Sequence, residues 1–431
     1  ANGLSVYGIE NDEVPLVQFE IVIDGGQRLE SRDKAGVANL MARMMTQGTA
    51  KKTPEELEDA IQQLGASINV SAGGEAIAVS VNTLARNYEA TLALVEEILL
   101  EPRWDAKEFD LIKQSTISGI RQLEANPNAI AQNQFDKLIY GKNDIRSIST
   151  LGTIESVRGI TLDDLKSFYA RSISPSVGRM HVVGSLARTK VLDSLKGLTG
   201  RWNAKRVEIP KLPAPAVPAK SAVYFYDVPE AKQSVIMFGY PALAVTDRDF
   251  YPATVMNYIL GGGGFASRLQ LQLREAKGYT YGIRSGFSGS TDSGTFTISS
   301  SIRTNVTLEA AQLTKDIVGD YSETYSAQDL ETTKSAMIKS QARAFETAGS
   351  KLDMLDNLSR YGWKPTYIKD REQIIRGMTV NEIRRLAGKY IDPSRMIYLV
   401  VGDAKTQLPR LKELGFGDPV LINGIAPDAQ K

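Results

Sequence analysis

Cysteine is absent from all 431 residues. Disulfides, thiolate nucleophiles and cysteine-ligated metals are excluded by that absence. Histidine is almost absent as well, since His181 stands alone. A zinc site built on several imidazoles, or a Ser-His-Asp triad, has nearly nothing to be built from. No apolar run reaches the ~18 residues that a membrane-spanning helix needs. Charge of one sign is not in excess: 51 basic residues face 50 acidic ones, for a formal net charge of +1. No electrostatic footprint for nucleic acid follows from that balance. The sequence starts at Ala1 without an initiator Met, as a processed bacterial product would, and lack of cysteine is compatible with a periplasm. A periplasmic or secreted location is the expectation.

What is present is ordinary in bulk and unusual in arrangement. The hydrophobic fraction is 42% and the charged fraction 23%, as in soluble globular proteins. The length exceeds what one hydrophobic core usually supports, so two or more domains are expected. The chain is also written twice. Arg158-Gly159-Ile160-Thr161-Leu162 is echoed by Arg376-Gly377-Met378-Thr379-Val380, Ser174-Pro175-Ser176 by Asp392-Pro393-Ser394, and His181-Val182-Val183-Gly184 by Leu399-Val400-Val401-Gly402. Each pair is 218 positions apart. Between the copies, residues 206–220 carry Pro210, Pro213, Pro215 and Pro218, a density that gives an extended spacer. The expected division is a domain at 1–205, a linker at 206–220 and a second domain at 221–431.

Each half mixes strands and helices. Residues 16–24 place Val17, Phe19, Ile21 and Ile23 on one face before a Gly25-Gly26 turn, which predicts a strand. Residues 77–81 alternate in the same way. Thr53-Pro54-Glu55-Glu56 predicts a helix start with a capping box, and Gly65 its end. Amphipathic spacing predicts helices over 88–100, 107–124, 249–260, 308–325 and 327–345. The fold class is therefore α+β: two homologous domains, each a mainly antiparallel sheet covered by helices.

Residues 36–49 read Gly-Val-Ala-Asn-Leu-Met-Ala-Arg-Met-Met-Thr-Gln-Gly-Thr. With the Asn2 to Tyr7 opening, the Asp24-Gly25-Gly26 turn and the duplicated Val-Val-Gly strand ends, this segment resembles the pitrilysin/insulinase family of zinc peptidases, the inverzincins, over nearly the whole chain. That family's helix carries His-x-x-Glu-His, with a Gly-Thr pair following it. Gly48-Thr49 set the register here, and the ligand and base positions then hold Asn39, Ala42 and Arg43. Two imidazoles four residues apart share a helix face and can hold one metal, while the Glu between them activates water. Asn39 is a poor neutral ligand, Ala42 offers no base, and Arg43 is a permanent cation. The resemblance places a further Glu ligand about 76 residues beyond the second His, and that position holds Gly119. No metal ligation by this chain is expected.

The second half carries Gly261-Gly262-Gly263-Gly264, then Leu273-Arg274-Glu275-Ala276-Lys277-Gly278-Tyr279-Thr280-Tyr281. This is similar to the family's Arg/Tyr pair, in which Tyr follows Arg by seven residues. The resemblance implies that Arg274 and Tyr281 bind substrate and stabilise the oxygen that gains charge. It also implies that the four glycines approach a substrate backbone, since glycine has no Cβ. Tyr279 fits the spacing less well than Tyr281. No phosphate loop is present, because no Gly-Lys-Ser/Thr follows. His181, at a strand end, reads as a satisfied structural histidine, and the Asn305 and Asn357 triplets are assigned no role.

Metal-free relatives that keep the Arg/Tyr pair act as partners of a metal-bearing homologue, mitochondrial processing peptidase being an example. The resemblance thus implies the zinc-free subunit of a heterodimeric zinc metalloendopeptidase, with two bowl-like subunits enclosing a chamber. It implies zinc in a homologous partner subunit, peptide substrates bound in extended form, and no cofactor held by this chain. A homodimer of the chain alone is left open. The alternatives from other classes are a scaffold homologue, like the core subunits of a respiratory complex, and a peptide-binding protein without a catalytic role.

Overall fold

The computed structural model of the chain describes residues 2–343 and 345–423. The first sheet holds β1 (Ser5–Glu10), β2 (Leu16–Asp24), β3 (Ser67–Ala72), β4 (Ala76–Leu84) and β5 (Gly178–Gly184) in the order β1-β5-β2-β4-β3. The second holds β6 (Ala222–Asp227), β7 (Gln233–Ala242), β8 (Thr280–Gly289), β9 (Gly294–Arg303), β10 (Ile397–Gly402) and β11 (Val420–Leu421) in the order β11-β6-β10-β7-β9-β8. Apart from β11, the second sheet repeats the strand order of the first. Both are antiparallel except at β1/β5, β6/β10 and β11/β6. The α+β class with two helix-covered sheets is what the structure shows.

Sequence cues and elements agree closely where the chemistry is local. The strand over 16–24 forms with the expected bounds, and Val17, Phe19, Ile21 and Ile23 are fully buried. Thr53 accepts from the Glu56 amide while the Glu56 side chain accepts from Thr53, completing the capping box, and Gly65 is left-handed. The helices over 88–100, 106–124, 307–324 and 327–343 fall within a residue or two of expectation. The expected helix over 249–260 instead splits. It runs as α-helix over Phe250–Asn257 and continues as a π-helical turn over Tyr258–Gly262, because glycines at 261 to 264 do not hold an α-helical ladder.

The chain forms two compact units, and each borrows a helix from the opposite half of the sequence. The first comprises Ala1–Gln122, Asp144–Lys211 and Ala344–Lys364, and the second Leu123–Asn143, Leu212–Arg343 and Pro365–Lys431. Helix Pro127–Tyr140 thus lies in the second unit and helix Ala348–Tyr361 in the first. Neither helix was anticipated from periodicity.

Each sheet buries one face under helices of its own half. Phe19, Ile21 and Val79 pack with Met41, Tyr88 and Phe168 in the first unit, and Phe238 and Ile298 with Met256, Tyr321 and Leu386 in the second. Each fully buried side chain of this size contributes about 1.5–3 kcal/mol. The borrowed helix covers the opposite face. In the second unit that contact is apolar, with Ile130, Phe135 and Ile139 against Val235, Met237 and Leu399. In the first unit it is mixed, with Val22 and Val183 buried on the same face as several polar side chains. Residues that alternate with the core residues of β2 and β5, namely Glu20, Asp24, Arg179 and His181, face helix Ala348–Tyr361, which buries only Leu355.

Candidate functional site

The helix that would carry zinc ligands is Val37–Met45. Glu30 caps it: its carboxylate accepts from the Gly36 and Ala38 amides at 2.9 and 2.8 Å. Burial outweighs those bonds and pushes the Glu30 carboxyl up to about 7. Gly36 sits at φ 97°, and a Cβ there would meet the Leu151 carbonyl at 2.6 Å, so only glycine fits. The frame is therefore well packed, and its contents are not a metal site. The Asn39 Oδ1 is buried without a hydrogen-bond partner, and Ala42 is fully buried. Arg43 donates to Thr116 Oγ1 at 2.6 Å and Ser115 Oγ at 3.3 Å, both on helix Ala106–Glu124. Gly119 follows Thr116 by three residues on that helix, with nothing within 4 Å of where its Cβ would be. A guanidinium thus bridges the two helices where a dication would need anionic and imidazole ligands. The residues present do not fit zinc.

In the second unit the four glycines divide into two kinds. A Cβ on Gly261 would collide with Ser285, one on Gly262 with the Asn257 amide at 2.9 Å, and one on Gly263 with the Tyr258 ring at 2.8 Å. These three are required by the chain's own packing. Gly264, at φ +55°, has nothing within 4 Å and is the one glycine facing open space. Arg274 lies on the π-helical segment Gln270–Ala276, stacked over the Phe265 ring at 4.7 Å and 3.4 Å from Glu275. Tyr281 follows the left-handed Gly278 turn and is 88% exposed. The cause is a bulge: β8 pairs Thr280 with Ile302 and then Ile283 with Ser300, so Tyr281 and Gly282 oppose Ser301 alone and the tyrosine is turned out of the sheet. The Gly282 amide donates to Thr280 Oγ1 at 3.0 Å, which fixes the bulge locally.

Two features of this region lie outside the sequence reading. Strand β8 is a sheet edge, yet two of its outward groups are taken: the Ile283 amide donates to Gln270 Oε1 at 3.0 Å, and Asn257 Nδ2 donates to the Ser285 carbonyl at 2.8 Å. The corresponding edge β3 differs. Among the described residues, no hydrogen bond beyond its β4 ladder uses the backbone of Ser67–Ala72. A polar Asn257 inside an otherwise apolar run was the available signal for this partial cover.

His181 is fully buried and satisfied at both ring nitrogens, by Glu20 Oε1 at 2.8 Å and Ser359 Oγ at 2.7 Å. Among the described residues, Glu20, His181 and Asp356 form one group with donor atoms within 4.8 Å of one another. Asp356 is also paired with Arg360 at 3.2 Å. With both imidazole nitrogens and this carboxylate already engaged, the group is a hydrogen-bonded cluster.

A duplicated α+β plan, an emptied metal helix in the first unit and an Arg/Tyr segment in the second define a degenerate metallopeptidase. Comparison with known families agrees. The model described as "Insulinase (Peptidase family M16)" matches residues 6–151, and "Peptidase M16 inactive domain" matches residues 159–337. The chain belongs to the peptidase M16 family, and its own residues make it an inactive member. It is similar to a Helicobacter pylori protein named "Non-peptidase homolog YmxG", at 23% identity over 404 residues, covering 92% of this chain and 91% of that one. It is also similar to a Bacillus subtilis protein named "Uncharacterized zinc protease YmxG", at 23% identity over 356 residues, covering 81% and 84%. Its fold matches the crystal structure of a peptidase M16 inactive domain from Pseudomonas fluorescens, with a TM-score of 0.87 at 24% identity over 94% of this chain and 97% of that one.

Proposed function

We propose that this chain is the zinc-free subunit of a two-chain zinc endopeptidase, in which a homologous partner supplies the metal. The observation that carries the reading is the contrast between the two units. Arg43 occupies the emptied helix, while Tyr281 is held out of β8 on a bulge with Arg274 on the preceding segment. An outward phenol and a guanidinium suit a role on a substrate supplied from outside the chain: two donors aimed at a carbonyl oxygen as it gains charge. The open backbone of β3 supports extended peptides as substrates, because an unpaired edge can add a strand. Arg274, Tyr281 and the open Gly264 are the residues assigned to substrate. Gly261, Gly262 and Gly263 act by holding the segment in shape.

The test is reconstitution. The purified chain with added zinc should show no peptidase activity. Activity should appear when it is mixed with a homologue bearing an intact His-x-x-Glu-His motif. Hydrolysis by this chain alone would refute the reading.

A further inference from the structure

The two sheets differ in what lies outside their parallel edge pair. In the second sheet β11 adds to β6 as an outermost parallel strand, with Leu421 opposite Phe225. The Ile422 amide donates to the Phe225 carbonyl at 2.8 Å. Asn423 takes the next outward position: its Oδ1 accepts from the Asp227 amide at 2.6 Å, and its Nδ2 donates to the Asp227 carbonyl at 3.0 Å. Strand β1 is the counterpart of β6, because Tyr7 pairs with His181 as Tyr224 pairs with Leu399. Gly8 and Glu10 therefore match Phe225 and Asp227, and their N–H and C=O groups point outward in the same way. Among the described residues, no hydrogen bond beyond the β5 ladder uses the backbone of Gly8 or Glu10, and none of residues 203–220 forms a strand.

The same match leaves a pocket. Phe225 is fully buried in the core of the second unit, and Leu421 packs against that core. Gly8 has no side chain to offer. A Cβ built on it would meet, apart from its chain neighbours, only the Val182 carbonyl at 3.6 Å. The space beside it is a cavity of about 380 Å³ whose lining includes Val6, Val182, Leu186, Val191 and Leu192. Leu192, on helix Arg188–Ser194, is left 46% exposed. The volume falls in the range of ligand pockets, roughly 300–1,000 Å³. Glycine inside a strand often marks a place where another backbone comes close. An aromatic side chain inside and a strand outside close the second sheet, and both are missing at one place in the first.

We propose that the β1 edge and the Gly8 pocket form a docking site for an extended segment of another polypeptide. The segment runs parallel to β1 and places a large apolar side chain opposite Gly8. As Leu421-Ile422-Asn423 does on β6, it carries an Asn two residues later against the Glu10 backbone. Main-chain bonds to the open edge hold the segment, and the pocket selects its side chain. The site lies on the opposite edge of the sheet from β3 and uses neither Arg274 nor Tyr281.

The probe is a short fluorescein-labelled peptide with Val-Phe-Ile-Asn at its centre, titrated into the full chain and followed by anisotropy. Saturable binding is expected, with the Gly8 and Glu10 amides gaining hydrogen-exchange protection and those of Ser67–Ala72 unchanged. Replacing the peptide's Phe by Ala should weaken binding about tenfold or more, the scale of one buried aromatic side chain. Methylating the peptide's Ile nitrogen removes the donor to the Gly8 carbonyl and should weaken binding about fivefold or more. This arm reads strand addition on the wild-type chain. Gly8→Phe restores the ring that the second unit carries; it should abolish binding while the urea midpoint stays at or above the wild-type value. No saturable binding to the wild-type chain, binding indifferent to the methyl group or to Gly8→Phe, or protection gained at Ser67–Ala72 in place of Gly8 and Glu10 would overturn the proposal.

Discussion

At position 181 the first sheet carries a buried histidine; at the matching position 399 the second carries a buried leucine. The same divergence recurs elsewhere. The first unit keeps the frame of a metal helix and fills it with Asn39, Ala42 and Arg43, whereas the second exposes Tyr281 and holds Arg274 half-buried over Phe265. One edge strand, β3, is open, and its counterpart β8 is partly covered by Asn257 and Gln270. The strand order and the helix-covered faces are common to both units. A fold is held by its core faces, so a duplicated chain is free to change chemistry on the other faces, at the edges and on exposed turns.

That comparison can be broken at defined places. The largest effect is expected at the apolar face of the second sheet. Leu399→Ala should cost about 2–5 kcal/mol through the cavity it leaves, measured by urea unfolding. A loss below 1 kcal/mol would mean that the docked helix does not depend on that face.

Glu30 comes next. Its carboxyl is raised from 4.5 to about 7, so the folded chain holds a proton that the unfolded chain has released. Stability should fall as pH rises from about 4.5 to 7, by about 3 kcal/mol, and level off above. Glu30→Gln should flatten that slope. A wild-type profile that rises over this window would contradict the assignment.

Asn257→Ala strips two bonds from the Ser285 segment of β8 and should cost about 1–3 kcal/mol, the penalty of unsatisfied buried groups. Ser71→Ala on the open β3 edge should be nearly neutral. The smallest effect is expected at Arg43, whose hydrogen-bond partners are the hydroxyls of Ser115 and Thr116. Arg43→Met should shift stability by less than about 1 kcal/mol, because it removes a half-buried cation bound to neutral groups. A much larger loss would show that the arginine had become a structural replacement for the metal.

Much of this was legible in the sequence because it depends on neighbours. The capping box at Thr53, the strand over 16–24 and the 218-residue repeat follow from spacing alone. The empty ligand positions were legible too, since absence of His and Glu needs no geometry. The exchange of helices was not. Helix Ala348–Tyr361 is amphipathic, but nothing local says which sheet it covers: its Ser359 reaches His181, 178 positions away. The four glycines looked alike in sequence. Only the packing of Asn257, Tyr258 and Ser285 separates the three that fill internal space from Gly264.

The central claim is that this chain contributes donors to a reaction whose metal lies elsewhere. It is tested most directly by the kcat of peptide hydrolysis in a mixture of this chain and a metal-bearing homologue, comparing wild type with the Arg274→Ala, Tyr281→Phe double variant. The account predicts no activity from either wild-type or variant chain alone, activity on mixing, and a fall in kcat of about 100-fold or more with the variant, the scale of removing an oxyanion donor. An unchanged kcat would contradict it and leave the chain as a scaffold.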